Sequence, residues 1–179
     1  MANLKEIRSR ISSVASTMQI TSAMKMVSAA KLKRAQDAVT QMRPYANKLT
    51  ELLVNLSSTL DSSEGGVYSQ NREIKKVLLV TITSNRGLCG GFNANIIKKA
   101  KSLMDGEYKG IKTDVISIGK KSTEHFEKNG YNVISSHDVL YSDLTFENTS
   151  EIAQIIMDLF TNNDYDKILL LYNQFKNVA

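Results

Sequence analysis

The chain has 179 residues and a formal charge of +5, from 23 Lys and Arg against 18 Asp and Glu, with one Cys, one Pro, nine Gly and no Trp. A single cysteine excludes an internal disulfide framework and fits a reducing compartment. The longest apolar runs, 77–82 and 168–172, fall far short of the roughly 18 residues a membrane-spanning helix needs. Charge is unevenly placed: residues 1–60 carry nine Lys and Arg against Glu6, Asp37 and Glu51, a net of +6, whereas residues 61–179 carry 14 against 15, a net of −1. The first sixty residues contain no Gly, and only Pro44 interrupts them. The sequence therefore reads as two objects.

The first object is a shaft. A heptad frame opened at Leu4 puts Leu4, Ile11, Met18, Lys25, Leu32, Val39, Ala46, Leu53 and Leu60 at a, and Ile7, Val14, Thr21, Ser28, Ala35, Met42, Leu49 and Leu56 at d. Fourteen of these 17 positions are apolar, the pattern of a coiled-coil seam. Arg8 and Arg10 among Ser9, Ser12 and Ser13 have a faint transit-peptide flavour, but periodicity that starts at Leu4 makes them a basic helix start. Pro44 takes an outer position, b or f-like, where it kinks a helix without having to end it. A helix of about 57 residues runs roughly 85 Å, against a diameter of roughly 35 Å for a domain built from the remainder. More than half of it is expected to protrude, and its seam to need a partner helix.

The seam fails at Thr21, Lys25 and Ser28, where a second stripe of Ile20, Met24 and Val27 appears about a third of a turn or more away. Two readings stay open: a register shift within one coiled coil, or a contact surface for a different partner, with polarizable Met24 and Met26 suited to changing contacts. In the second reading the run Lys25, Lys31, Lys33 and Arg34 favours an acidic partner. Nucleic acid is not expected, because the basic residues alternate with seam residues and carry no aromatic interleaving.

Residues 61–75 read as a polar linker and 76–179 as an α/β domain. Strands are expected at 76–83, 113–118, 131–136 and 166–172, the first and last buried, with helices at 93–105, 120–129 and 147–160. Asn148 with Glu151 forms a capping box for the last helix. Alternation of strand and helix implies a mostly parallel, Rossmann-like sheet with helices on its faces.

One segment looks like a motif, Ser84-Asn85-Arg86-Gly87-Leu88-Cys89-Gly90-Gly91-Phe92-Asn93, at the carboxyl end of the first strand. Ligands bind at that end of open α/β sheets, yet the spacing is neither G-x-G-x-x-G nor a P-loop, so no nucleotide is expected. The conformational reading is a tight strand-to-helix turn needing positive φ. The enzymatic alternative is a nucleophile elbow, with Cys89 as nucleophile of a hydrolase, His137 as base and Asp114 or Asp138 as orienting acid. Only two histidines exist, and both are read as surface residues, His125 on a helix face among Glu124 and Glu127. Asp164 and Asp166 flank a turn, and with no Cys/His cluster no metal site is expected.

The segments Lys5-Glu6-Ile7-Arg8-Ser9-Arg10-Ile11, Ile20-Thr21-Ser22-Ala23-Met24-Lys25-Met26-Val27, Ala30-Lys31-Leu32, Arg43-Pro44-Tyr45, the motif 85–93, and Leu171-Tyr172-Asn173-Gln174-Phe175-Lys176 resemble the gamma-subunit family of F-type ATP synthase along the whole chain. The resemblance implies a non-catalytic central rotor that couples proton flow to ATP synthesis by rotation, with no cofactor, metal, nucleic acid or direct small-molecule substrate. It implies as partners the alpha and beta subunits of F1, epsilon and delta, and the membrane c-ring, at the cytoplasmic face of a bacterial inner membrane. By position Met24 and Lys25 match residues that face an acidic loop of the catalytic subunit, in agreement with the outer stripe, so that Ile20, Met24, Lys25 and Val27 are expected to contact the catalytic subunits. Residues 43–45 match the foot near the ring and epsilon. Ile7, Ile11, Val14, Met18 and Leu32 match the seam against a C-terminal helix, and Arg86, Gly87, Cys89, Gly90 and Gly91 the motif turn. The family's C-terminal part has no counterpart here, so the resemblance implies a fragment whose seam lacks an internal partner, whose α/β domain is incomplete and whose sheet lacks a strand.

Overall fold

The computed structural model describes residues 3–59, 68 and 72–177. Leu60, the last seam position, and most of the linker expected over 61–75 lie outside the described residues. The fold is α/β, and the chain divides into two units, Met1–Glu64 and Gly65–Ala179.

The first unit is the helix α1, Leu4–Thr59, 56 residues and about 84 Å long. Its composition favours the helix throughout, with no Gly and many Ala, Leu, Met, Lys and Gln. Asn3 caps it: its carboxamide Oδ1 accepts the Lys5 N–H at 3.2 Å, and its carbonyl accepts the Glu6 N–H at 2.8 Å. Pro44 sits inside the helix without ending it. Thr21 turns its hydroxyl back onto the Thr17 carbonyl at 2.8 Å, so the polar residue that interrupts the seam satisfies itself within its own helix.

The second unit opens with β1 (Lys76–Ile82), α2 (Phe92–Asp105), β2 (Lys112–Ile118), α3 (Lys120–Lys128) and β3 (Val133–Ser136). A single 3₁₀ turn at Val139–Ser142, then α4 (Phe146–Thr161) and β4 (Lys167–Leu171) follow. The four strands lie in the order β3-β2-β1-β4 and every pairing is parallel. β1 is central, and Val77, Leu78, Leu79 and Val80 are fully buried, which is why its sequence is apolar on both faces. Val77 and Leu79 pack with Val115, Ala100 of α2 and Phe126 of α3. Leu78 and Val80 pack on the opposite face with Ile116, Ile152 of α4 and Tyr165.

Three sequence expectations are corrected. The last strand is not buried: β4 pairs only with β1, and Leu170 is 57% exposed. The third strand starts at Val133, because Tyr131 closes the end of α3. Its N–H donates to the Phe126 carbonyl at 3.0 Å while Gly130, at φ 76, donates to Glu127, a Schellman turn sealed by an edge-on Phe126–Tyr131 ring contact. The cap of α4 is Thr145 in place of the expected Asn148–Glu151 box. Thr145 Oγ1 accepts the Asn148 N–H at 3.2 Å, and the Asn148 side chain reaches back to the Asp143 carbonyl at 2.9 Å.

Candidate docking sites on the long helix and the motif turn

On α1 the seam residues Ile7, Ile11, Val14, Met18 and Leu32 are all exposed, as are Ile20, Met24, Lys25 and Val27. Apolar side chains therefore occupy more than one side of the helix, and Lys25 is flanked by Met24 and Met26. Scattered exposed apolar residues are ordinary on a protein surface, but a row sustained along an entire helix marks a surface built to be covered. Arg43 and Tyr45 likewise lie exposed on either side of Pro44.

The motif turn joins β1 to α2, and Asn93 is its organiser. Asn93 is 9% exposed. Its Oδ1 accepts the Ser84 N–H at 2.9 Å, and its Nδ2 donates to Ser84 Oγ at 3.0 Å, the Arg86 carbonyl at 3.1 Å and Cys89 Sγ at 3.2 Å. One carboxamide thus ties down the whole outward excursion of the chain. Arg86, Gly87, Leu88, Cys89, Gly90 and Gly91 all face solvent on that loop. Positive φ is needed at Gly90 (59°) and also at Leu88 (58°), whereas Gly91 begins α2 at φ −77°. Only one of the three motif glycines therefore has the role expected of it. Leu88 pays for its left-handed backbone and is fully exposed, so the turn presents an apolar side chain on a braced loop.

A second bracing layer was not legible in the sequence. Gly119, at φ 108°, lies against the Thr83 carbonyl, and a Cβ there would come within 2.0 Å of that oxygen. Thr83 Oγ1 accepts the Ser122 N–H at 3.0 Å, Tyr141 donates its hydroxyl to the Thr83 carbonyl at 2.8 Å, and Asn85 bridges Lys120 N–H (2.9 Å) and the Asp138 carbonyl (2.7 Å). Burial raises the Tyr141 phenol above its usual value, so it remains a donor. These contacts join three loops at the carboxyl end of the sheet; a single Gly-Lys pair and an isolated Asn carry no sequence signal for them.

The hydrolase arrangement is not built. Cys89 Sγ meets Asn93 and the Arg86 carbonyl, His137 Nε2 hydrogen-bonds Ser135 Oγ at 2.7 Å, and Asp114 holds Asn132 and the Tyr165 hydroxyl, each at 2.8 Å. No hydrogen bond among the described residues links Cys89, His137 and an acid. The histidine that shares a cleft with Cys89, of about 430 Å³, is His125. It is not the plain surface residue expected: its Nε2 is buried without a partner, and burial, with Lys101 adding, holds its pKa below the usual imidazole value. Asp166 has a structural task, accepting the N–H groups of Lys75 (2.9 Å) and Lys76 (2.8 Å), which hold its carboxyl below the usual range. Among the described residues no group of three His, Cys, Asp or Glu is placed to hold a metal, and no helix is long and apolar enough to cross a membrane.

A family model described as ATP synthase matches residues 3–179. The chain is 61% identical to the ATP synthase gamma chain of Flavobacterium johnsoniae, 60% to that of Flavobacterium psychrophilum and 45% to that of Cytophaga hutchinsonii, in each case over all of this chain. It spans 62% of the length of each of these curated relatives. A match that runs unbroken through the long helix, the motif turn and the parallel sheet means that the chain belongs to the ATP synthase gamma-chain family.

Proposed function

We propose that this chain works as part of the central rotor of an F-type ATP synthase, turning within the ring of alpha and beta subunits and coupling proton flow through the membrane sector to ATP synthesis. The observation that carries the reading is the 56-residue helix whose apolar seam is exposed along its length in a member of this family. A shaft must be long, continuous and covered by partners, and α1 has the first two properties and a surface suited to the third. In this reading Ile7, Ile11, Val14, Met18 and Leu32 pack against a second helix. Ile20, Met24, Lys25 and Val27 face the catalytic subunits, with Lys25 drawn to acidic side chains. The region of Arg43 and Tyr45 lies toward epsilon and the membrane c-ring, delta belongs to the same complex, and the whole assembly is peripheral to the cytoplasmic face of the bacterial inner membrane. The chain contributes mechanical coupling and no bond chemistry; its braced motif turn is a contact element.

Co-expression with alpha and beta subunits of a relative tests this. The chain is expected to co-purify with them, and Met24→Asp combined with Lys25→Glu to lower the recovered complex at least fivefold. A folded chain that stays free of alpha and beta, or a double variant recovered like the parent, overturns the assignment of this patch.

A further inference from the structure

Helices cover the two faces of the sheet unequally. Four strands about 4.8 Å apart place the outer strand axes about 14 Å from each other, so a face takes two helices of about 10 Å diameter. Among the described residues of the α/β unit, one face has two helices, α2 and α3, and the other has α4, packed through Ile152, Ile156 and Leu159 against β1, β2 and β4. Beside α4, over β3, the sheet is left partly bare, and Ile134 and Ile155 are 39% and 43% exposed. At the carboxyl end of this strip lies a cleft of about 400 Å³ lined by Val139, Asp143, Glu151 and Ile152, among others. Val139 and Leu140 of its lining belong to the segment 139–146, which is unusually apolar for a surface loop: Val139, Leu144 and Phe146 are 73%, 70% and 83% exposed.

The charged residues that line this cleft, Asp143 and Glu151, have one sign, and the chain around them is acidic. Residues 133–166 contain seven carboxylates, at 138, 143, 147, 151, 158, 164 and 166, and no Lys or Arg. Residues 76–132, which include both helices of the opposite face, contain ten Lys and Arg against five acids. Exposed aromatic and aliphatic anchors among acids of a single sign fit a partner that brings apolar side chains flanked by positive ones. The strip beside α4 has room for one helix, and the amino-end cleft that continues it is mixed in charge, with Lys76 and Lys112 opposite Asp114 and Asp164.

We infer that the cleft between the 139–146 segment and α4 is a docking site for a basic amphipathic helix of a partner protein. The partner's apolar stripe would cover Val139, Leu144 and Phe146, and its Lys or Arg residues would meet Asp143 and Glu151. This surface belongs to the α/β unit, and its assignment does not depend on the rotor reading.

The test uses the whole chain and a fluorescein-labelled 14-residue peptide with Leu at i, i+3, i+4 and i+7 and Lys at the remaining positions, against a twin with Glu in place of Lys. Anisotropy is expected to give binding at least tenfold tighter for the Lys peptide than for its twin, weakened at least tenfold by Asp143→Lys with Glu151→Lys and at least fivefold by Phe146→Ser. Circular dichroism establishes that each variant is folded, and amide shifts of the labelled chain are expected at 136–155. Asp158→Lys, which reverses one charge outside the cleft, is expected to change affinity less than threefold. Equal loss with Asp158→Lys, shifts confined to α1, or a cleft filled by a second copy of the chain in a dimer that Asp143→Lys dissolves would each overturn the proposal.

Discussion

The helix α1 and the α/β unit handle apolar surface in opposite ways. In the α/β unit the side chains of Val77, Leu78, Leu79, Val80, Val115, Ile116 and Phe126 are wholly withdrawn from water by neighbours from the same unit. Along α1, Ile11, Val14 and Met18 stay more than 60% exposed, and the local supports are an Asn3 cap and surface ion pairs such as Arg10–Glu6 at 2.7 Å. Exposed pairs of that kind contribute at most about 1 kcal/mol. The stability of one region is therefore internal, and that of the other is set by whatever covers it.

The sharpest way to break this contrast is to truncate side chains in both regions. Phe126→Ala, at a fully buried ring that meets His125 and Tyr131 edge-on, is expected to cost the α/β unit about 3–5 kcal/mol in urea denaturation. Met18→Ala, on a side chain 70% exposed, is expected to change the stability of the isolated chain by less than about 0.5 kcal/mol. Comparable losses at the two positions would mean that α1 is already covered in solution.

Next in size are the braces at the carboxyl end of the sheet. Gly119→Ala places a Cβ against the Thr83 carbonyl at a φ that L residues rarely adopt, and is expected to cost about 2–4 kcal/mol by thermal denaturation. Asn93→Ala removes the partner of Ser84 N–H and one of the donors to the Arg86 carbonyl. It is expected to cost about 1–3 kcal/mol and to speed amide exchange at 84–91, leaving exchange in α1 unchanged.

The smallest effect is a pH dependence confined to the α/β unit. His125 has a folded-state pKa below its unfolded value near 6.5, so the unfolded chain takes up the proton more readily. Its contribution is present above pH 6.5 and is lost as pH falls through that value toward the lower folded one. Melting temperature is expected to drop over this window, and His125→Gln to flatten the drop; an unchanged slope would assign it to other groups.

Much of this was legible in the sequence, for identifiable reasons. The 3.5-residue repeat of α1 and the doubly apolar run of β1 are long-range patterns, and both specify their elements. The failures sit where a few atoms decide. Thr145 won the cap of α4 over Asn148 because the side-chain oxygen must stand three residues before the N–H it accepts, and the chain enters the helix at Phe146. Asn163 ends α4 with φ 62° where no Gly marks a stop. Burial of β4 was misjudged because its apolar residues read like those of a central strand, and strand order is not written in composition. The motif turn was visible as a glycine cluster, but its organiser, Asn93, and its second left-handed residue, Leu88, are set by hydrogen bonds and backbone angles that no residue pattern announces.

That position of β4 bears on how the chain behaves when concentrated. Among the described residues its outer edge has no strand beside it, and its sequence Lys167–Leu171 is KILLL, with a single charge at one end to discourage another strand from adding. Native sheets blunt such edges with charge, proline or a covering segment. Uncovered, β4 is a template for intermolecular strand addition, so aggregation of this chain is expected to begin at its sheet margin, and a Lys in place of Leu170 to delay it.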